Sequence, residues 1–212
     1  MKTENFIDAL AADLPSTGMP IARTLALCTL AGALLAGLVF LWTLGVRPDF
    51  AEASLTARFQ FKLVYTLALL IPALALTWHL ARPGVSSRAW LWALLIPFGA
   101  LIVACVLELA AVPSGEWASR LVGSHAWAFL TIIPVLSLAP LAALLFGLSR
   151  GAPTRRTLAG AAAGLASAAL AAALYASNCP DDSPLFVAAW YTIAIGSVTF
   201  VGALLGSYVL RW

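Results

Sequence analysis

Few residues in this sequence are equipped for chemistry, and their positions limit what they can do together. There are three cysteines, Cys28, Cys105 and Cys179, and two histidines, His79 and His125. Thiols and imidazoles hold metals or activate nucleophiles only when they meet in space. Cys28 and Cys105 lie inside apolar runs, and Cys28 reads as a small packing residue. Cys179 lies in the turn Asn178-Cys179-Pro180-Asp181-Asp182-Ser183-Pro184. There Asp182 or Ser183 can cap a following helix, with Pro184 in its first turn. The histidines fall at opposite ends of their predicted helices, too far apart to share a metal. The sequence has no HExxH, no CxxC and no Walker-type glycine loop, and no Ser/His/Asp triad assembles. Enzyme chemistry, a metal centre and a cofactor are therefore not expected. Cys179 keeps two readings, a redox- or metal-sensing thiol and an inert buried one, because a lone thiol is unusual in an oxidising compartment.

The elements that position these residues follow from composition. The 212-residue chain is 62% hydrophobic and only 10% charged, with a mean hydropathy of +0.97. A soluble domain carries roughly 25% charged residues, so this chain cannot cover a water-facing surface. The expected fold is all-α: a polytopic membrane protein of six transmembrane helices. A span needs about 20 apolar residues, and six stretches qualify, at about 24–46, 60–81, 89–111, 125–148, 157–177 and 185–209. Gly and Pro clusters separate them, as in Arg47-Pro48-Asp49, Arg82-Pro83-Gly84 and Arg150-Gly151-Ala152-Pro153. Residues 1–23 form a short arm and 24–212 the transmembrane domain. The arm is too acidic for a cleavable signal.

Basic residues set the orientation. With the N-terminus inside, the cytoplasmic pieces hold Lys2, Arg23, Arg82, Arg88, Arg150, Arg155, Arg156 and Arg211. The outer pieces then hold Arg47, Arg58, Lys62 and Arg120. Both termini are thus expected in the cytoplasm. Tryptophans near helix ends, and Tyr65, Tyr175, Tyr191 and Tyr208 with them, suit an interfacial belt, while Trp117 falls in a loop. The basic residues sit singly between apolar runs, which gives no nucleic-acid-binding face.

Lys62 and Glu108 lie within spans at similar depth near the outer side, placed to form an intramembrane charge pair or to snorkel outward. Deep ionisable groups for a proton or ion relay are missing. That counts against a pump or coupled transporter, and a small six-helix transporter or channel is kept as the alternative function. Gly160-xxx-Gly164, Gly202-xxx-Gly206, Gly32 with Ala36 and Ala33 with Gly37 are small-residue faces for helix packing, within one chain or between copies. Pro72, Pro97, Pro134 and Pro140 are candidate kinks. In the arm, Phe6, Ile7, Leu10 and Leu14 share one face of a short helix. Too short to stand alone, that helix needs a lipid surface or a protein groove, and its acidity favours the groove.

Several segments, taken in order, resemble the NrsF-like membrane anti-sigma factors, the "negative regulator of sigma F" family. They are Phe6-Ile7-Asp8-Ala9-Leu10-Ala11-Ala12-Asp13-Leu14, Gly45-Val46-Arg47-Pro48-Asp49, Phe61-Lys62-Leu63, Arg150-Gly151-Ala152-Pro153-Thr154-Arg155 and Cys179-Pro180-Asp181-Asp182-Ser183-Pro184. The resemblance implies a six-helix regulator of the bacterial inner membrane. Such a protein holds an extracytoplasmic-function (ECF) sigma factor inactive and releases it under stress, including metal or oxidative stress. It implies that Phe6, Ile7, Asp8, Leu10, Asp13 and Leu14 contact the sigma factor, assisted by loops near Arg82, Arg88, Arg150 and Arg155. It also makes Cys179 the sensing thiol. Family members often carry a second cysteine early in helix 4, where Trp127-Ala128-Phe129-Leu130-Thr131 has none. Cys105 is the remaining candidate partner if helices 3 and 6 are neighbours. The lipid bilayer and the sigma factor are the expected partners, and the oligomeric state is left open.

Overall fold

The computed structural model describes residues 19–123 and 126–211. The arm residues Phe6, Ile7, Asp8, Leu10, Asp13 and Leu14, and His125, lie outside the described residues. The described chain is all-helical, and six helices are long and apolar enough to cross a membrane. They are α1 (Ile21–Thr43), α2 (Ala57–Leu80), α3 (Arg88–Ala111), α4 (Ala126–Ser149), α5 (Arg156–Ala176) and α6 (Pro184–Val209). Each follows its apolar run to within a few residues. The first begins at Ile21, ahead of the expected 24, because Pro20 occupies its N-cap with a φ of −53° that leads directly into a helix.

Helix α5 is the hub. Its alanines and glycines, from Ala159 to Ala172, are buried almost without interruption, and it packs against α2, α4 and α6. Such small side chains let backbones approach closely, which is how apolar helices gain packing when the hydrophobic effect offers little. Gly160 and Gly164 face Gly202 and Gly206 across an antiparallel crossing. A Cβ built on Gly164 falls 2.7 Å from the Val198 carbonyl oxygen and one on Gly206 2.7 Å from Gly160 Cα. Both GxxxG faces are therefore occupied within one chain.

Helix α1 packs mainly on α4. A Cβ on Gly32 meets Pro140 Cα at 2.7 Å, and one on Gly147 lies 3.4 Å from the Cys28 Cβ. Gly32 and Ala36 form the buried stripe. The alternative pair, Ala33 with Gly37, does not: nothing lies within 4 Å of a Cβ on Gly37. Helix α3 stands at the edge of the bundle and buries only Pro97, Leu101 and Glu108 fully.

Of the four candidate kinks, only Pro97 falls beside an interruption of its helix. It has no N–H to offer the Ala93 carbonyl, and the helix is interrupted at Leu94. Pro72, Pro134 and Pro140 stay inside continuous helices. Pro72 and Pro140 are buried in the bundle. An irregularity that no proline announces is the π-turn Val187–Tyr191 near the start of α6. Trp117 opens a short helix, Trp117–Val122, rather than lying in an open loop. Of the four tyrosines, Tyr208 is exposed, whereas Tyr65, Tyr175 and Tyr191 are buried in the bundle.

Candidate functional site

Three stretches distant in sequence meet at one end of the bundle: the link after α1, the first turns of α2 and the link between α5 and α6. Gly45, with a φ of +68°, ends α1 in a left-handed turn and aims Arg47 across the bundle. Thr56 caps α2 by accepting the Phe59 N–H at 3.4 Å, which sets the register that carries Lys62 inward. The Asn178 side-chain amide donates to the Leu44 and Gly45 carbonyls at 3.3 and 3.1 Å. The Arg47 N–H donates to the Ser177 carbonyl at 3.1 Å.

A polar knot fills the space between these links. Lys62 is fully buried. Its ammonium donates to Asp182, to the Cys179 carbonyl at 2.9 Å and to the Asp181 carbonyl at 3.4 Å. Three acceptors for three protons satisfy a charge that burial alone would make very costly. Arg47 donates to the other Asp182 oxygen at 3.1 Å, to the Cys179 carbonyl at 3.3 Å and to Asp49 at 2.6 Å. The Arg47 hydrogen bond lowers the Asp49 carboxyl below its ordinary range.

Cys179 sits beneath this knot with 1% of its surface exposed. The Asp181 N–H points to its sulfur at 3.3 Å. Burial pushes the thiol up to about 11, with the Lys62 charge opposing. It is therefore a protonated, unreactive thiol in this conformation. Below it, Phe129 packs edge-on to Tyr175 and Phe186, both at 4.7 Å between ring centroids, and lies 4.8 Å from Tyr191 in the π-turn. The Tyr191 hydroxyl and the Ser183 hydroxyl are buried and have no hydrogen-bond partner among the described residues. π-turns often occur at functional positions. This one holds Tyr191 under the cysteine-bearing link.

The expected pair between Lys62 and Glu108 is not formed. Glu108 is instead held by Arg58 at 3.0 Å and Arg120 at 2.9 Å, and Arg120 also binds Glu116 at 3.0 Å. Arg58 lies one turn before Lys62 on α2 and reaches α3, whereas Lys62 faces inward to the α5–α6 link. Asp182 is thus taken up by Lys62 and Arg47 and does not cap α6. Ser183 occupies the N-cap position without a side-chain cap bond, and Pro184 stands at the first turn as expected. Cys105 donates to the Pro184 carbonyl at 3.5 Å, so α3 does adjoin the start of α6. Both cysteines are free thiols.

The opposite end is built differently. All six carboxylates among the described residues, Asp49, Glu52, Glu108, Glu116, Asp181 and Asp182, belong to the Cys179 end. The other end carries Arg23, Arg82, Arg88, Arg150, Arg155, Arg156 and Arg211, and none of these forms an ion pair among the described residues. There the Ala152 N–H donates to the Ala81 carbonyl at 3.2 Å, which joins the α4–α5 link to the end of α2. His79 donates from Nδ1 to the Ala75 carbonyl at 2.7 Å and accepts the Trp90 indole N–H on Nε2 at 3.3 Å. It clamps α2 to α3.

No polar route connects the two ends among the described residues. The buried hydroxyls of Thr66, Thr77, Ser137 and Ser167 each donate to a carbonyl one turn back in their own helix, at 2.6–2.8 Å. They spend their hydrogen bonds locally.

The six-helix bundle thus carries a buried ion-paired knot at one end and, among the described residues, arginines without ion pairs at the other. The chain belongs to the family described as Negative regulator of sigma F, which matches residues 10–212. It is 36% identical to the anti-sigma-F factor NrsF of Caulobacter vibrioides, with both chains covered in full. It is 35% identical, again over the full length of both, to the probable anti-sigma-F factor NrsF of Azospira oryzae. No solved structure matches it.

Sequence reasoning singled out Lys62, Cys179 and Glu108 but missed Arg47, Asp182, Arg58 and Tyr191 as their partners. The available signal was charge. Arg47, Lys62, Asp181 and Asp182 all fall on one predicted side, and a buried lysine must find a carboxylate there.

Proposed function

We propose that this protein is a membrane-bound anti-sigma factor, with both termini in the cytoplasm of a bacterial cell and its bundle in the inner membrane. The arm, residues 1–23, captures an ECF sigma factor through Phe6, Ile7, Leu10 and Leu14, flanked by Asp8 and Asp13. The Cys179 end faces outward and responds to stress.

The observation that carries this reading is the division of charge between the two ends. Arginines collect at the end from which the arm leaves, as expected of a cytoplasmic face, and described carboxylates occur only at the other. The membrane-facing helices also expose large apolar side chains, among them Ile96, Ile102 and Phe200, which water would penalise.

The signal acts on the knot. In the closed state Cys179 is shielded and protonated. An oxidant or a thiol-seeking metal ion reaches it only when the Ser177–Ser183 link lifts away from Arg47 and Lys62. Because that link joins α5 to α6, and α5 touches most of the bundle, a shift there alters how the arm is presented. A two-state change of a few kcal/mol is enough.

Deletion of residues 1–14 tests the reading. A reporter driven by the cognate sigma factor should rise to the level of a strain lacking the protein, while the truncated chain stays in the membrane fraction. Full repression by the truncated chain contradicts it. Cys179→Ser should abolish induction by thiol-directed stress and leave basal repression intact. Unchanged induction removes the thiol from the mechanism.

A further inference from the structure

The arginine-rich end holds a cleft of about 470 Å³, formed where the end of α2, the start of α3 and the start of α5 come together. Arg82, Arg88 and Arg155 line it, with Ser87 and Thr154 between them. At the Cys179 end every paired arginine meets a carboxylate, as Arg47, Arg58 and Arg120 do. Here three arginines line one cavity, and no described carboxylate pairs with any of them. The α5 N-terminus opens beside them. Arg155 at its N-cap makes no side-chain cap bond, so the first N–H groups add to the positive field. His79 is already committed to Ala75 and Trp90 and serves to fix the width of the cleft.

A second cavity, of about 460 Å³, lies along the same three helices and α6. It is lined by Tyr65 and Leu69 of α2, Phe98 of α3, Ala161 and Leu165 of α5, and Phe200, and is almost wholly apolar. No residue lines both cavities, but the same helices run from one to the other. Leu91 lines the basic cleft, and Leu95 and Phe98 follow at helical spacing on α3, all three exposed. On α5, Ala161 lies six residues beyond Arg155, about 9 Å at 1.5 Å per residue. A charged cleft with an apolar groove further along the same helices, at that distance, matches an amphiphile with an anionic head.

We infer that this end of the bundle is a binding site for an anionic phospholipid, with the headgroup phosphate among Arg82, Arg88 and Arg155 and one acyl chain in the groove beside Phe98 and Leu165. Arginine suits a phosphate through its fork of donors. Basic clefts between helices at a membrane face are where such headgroups lodge. Trp90 and Trp92 at the start of α3 put the cleft at headgroup depth. The inference rests on the membrane reading above but not on the sigma factor.

The test uses the full-length protein in nanodiscs or detergent, with retained lipid counted by native mass spectrometry. Phosphatidylglycerol is compared with phosphatidylcholine, and inorganic phosphate serves as the headgroup-only competitor. Wild-type protein should retain phosphatidylglycerol at least tenfold over phosphatidylcholine. The double variant Arg88→Gln/Arg155→Gln should lose that preference. Arg211→Gln, which removes a charge from the same end outside the cleft, should keep it. Ala161→Leu, which fills the groove, should reduce retention with the arginines intact, so the inference stays testable if the double variant fails to fold.

Three results would overturn the inference: equal retention by Arg88→Gln/Arg155→Gln, complete displacement by inorganic phosphate at comparable concentration, and binding seen only after residues 1–14 are deleted. The last would assign the cleft to the chain's own acidic arm. Sigma-factor repression measured on the same variants separates the readings. A cleft variant that loses lipid yet still represses leaves the anti-sigma function standing, and loss of repression by the arm deletion alone leaves the lipid site standing.

Discussion

The two ends of this bundle handle charge in opposite ways. At the Cys179 end, cations and carboxylates are brought into contact, and one of them, Lys62, is fully buried. At the arginine end, seven guanidiniums stand without a described carboxylate. A buried knot is expensive to disturb and so holds one arrangement until something acts on it. An unpaired crown contributes little to folding and remains available to something outside the bundle. The first property suits a sensor and the second a docking face.

The largest effect expected from breaking this contrast comes from Asp182→Ala. It strips the carboxylate from a lysine with no access to water, and removal of one partner from a buried pair costs about 3–5 kcal/mol. Denaturant unfolding in detergent should register that loss. Stability within experimental error of wild type would mean that the knot is not closed. Glu108→Gln should cost less, about 1–2 kcal/mol, because the arginines it leaves behind can turn to solvent: the Arg58 side chain is 48% exposed. At the opposite end, Arg155→Gln should leave the unfolding curve unmoved. A clear destabilisation there would show that the arginine crown is structural after all.

A finer test is chemical. Burial disfavours the Cys179 thiolate, so the thiol, ordinarily near 9, titrates at about 11. In the native state alkylation should be slow at pH 8 and quicken towards pH 11, and Asp182→Ala should speed it at fixed pH. The sign for stability follows. Below pH 9 both folded and unfolded chains hold the proton and nothing changes. Between 9 and 11 only the unfolded chain releases it, so the fold weakens as pH rises. Rapid, pH-insensitive labelling of wild type at pH 8 would mean an exposed thiol.

The six helices could be read from sequence because each is a run of about 20 apolar residues bounded by Gly and Pro, a pattern fixed by local chemistry. The close packing of α5 was also legible, since Gly160-xxx-Gly164 marks a small-residue face. Partners were harder to read. Gly160-xxx-Gly164 announces a close approach, but only the folded chain supplies Gly202 and Gly206 as the other side. Lys62 announced an intramembrane charge, yet its partner depended on which way α2 is rotated and where the α5–α6 link folds back. Neither is encoded in the α2 sequence. The π-turn at Val187–Tyr191 carries no Pro or Gly to mark it.

The central claim is that the arginine end and the Cys179 end lie in different compartments. In a background with Cys28, Cys105 and Cys179 replaced by serine, single cysteines at Gly115, where nothing lies within 4 Å of a new Cβ, and at the exposed Ser86 report one end each. A membrane-impermeant maleimide applied to spheroplasts should label Gly115→Cys and spare Ser86→Cys until the membrane is permeabilised. Labelling of both before permeabilisation, or of Ser86→Cys alone, would contradict the account.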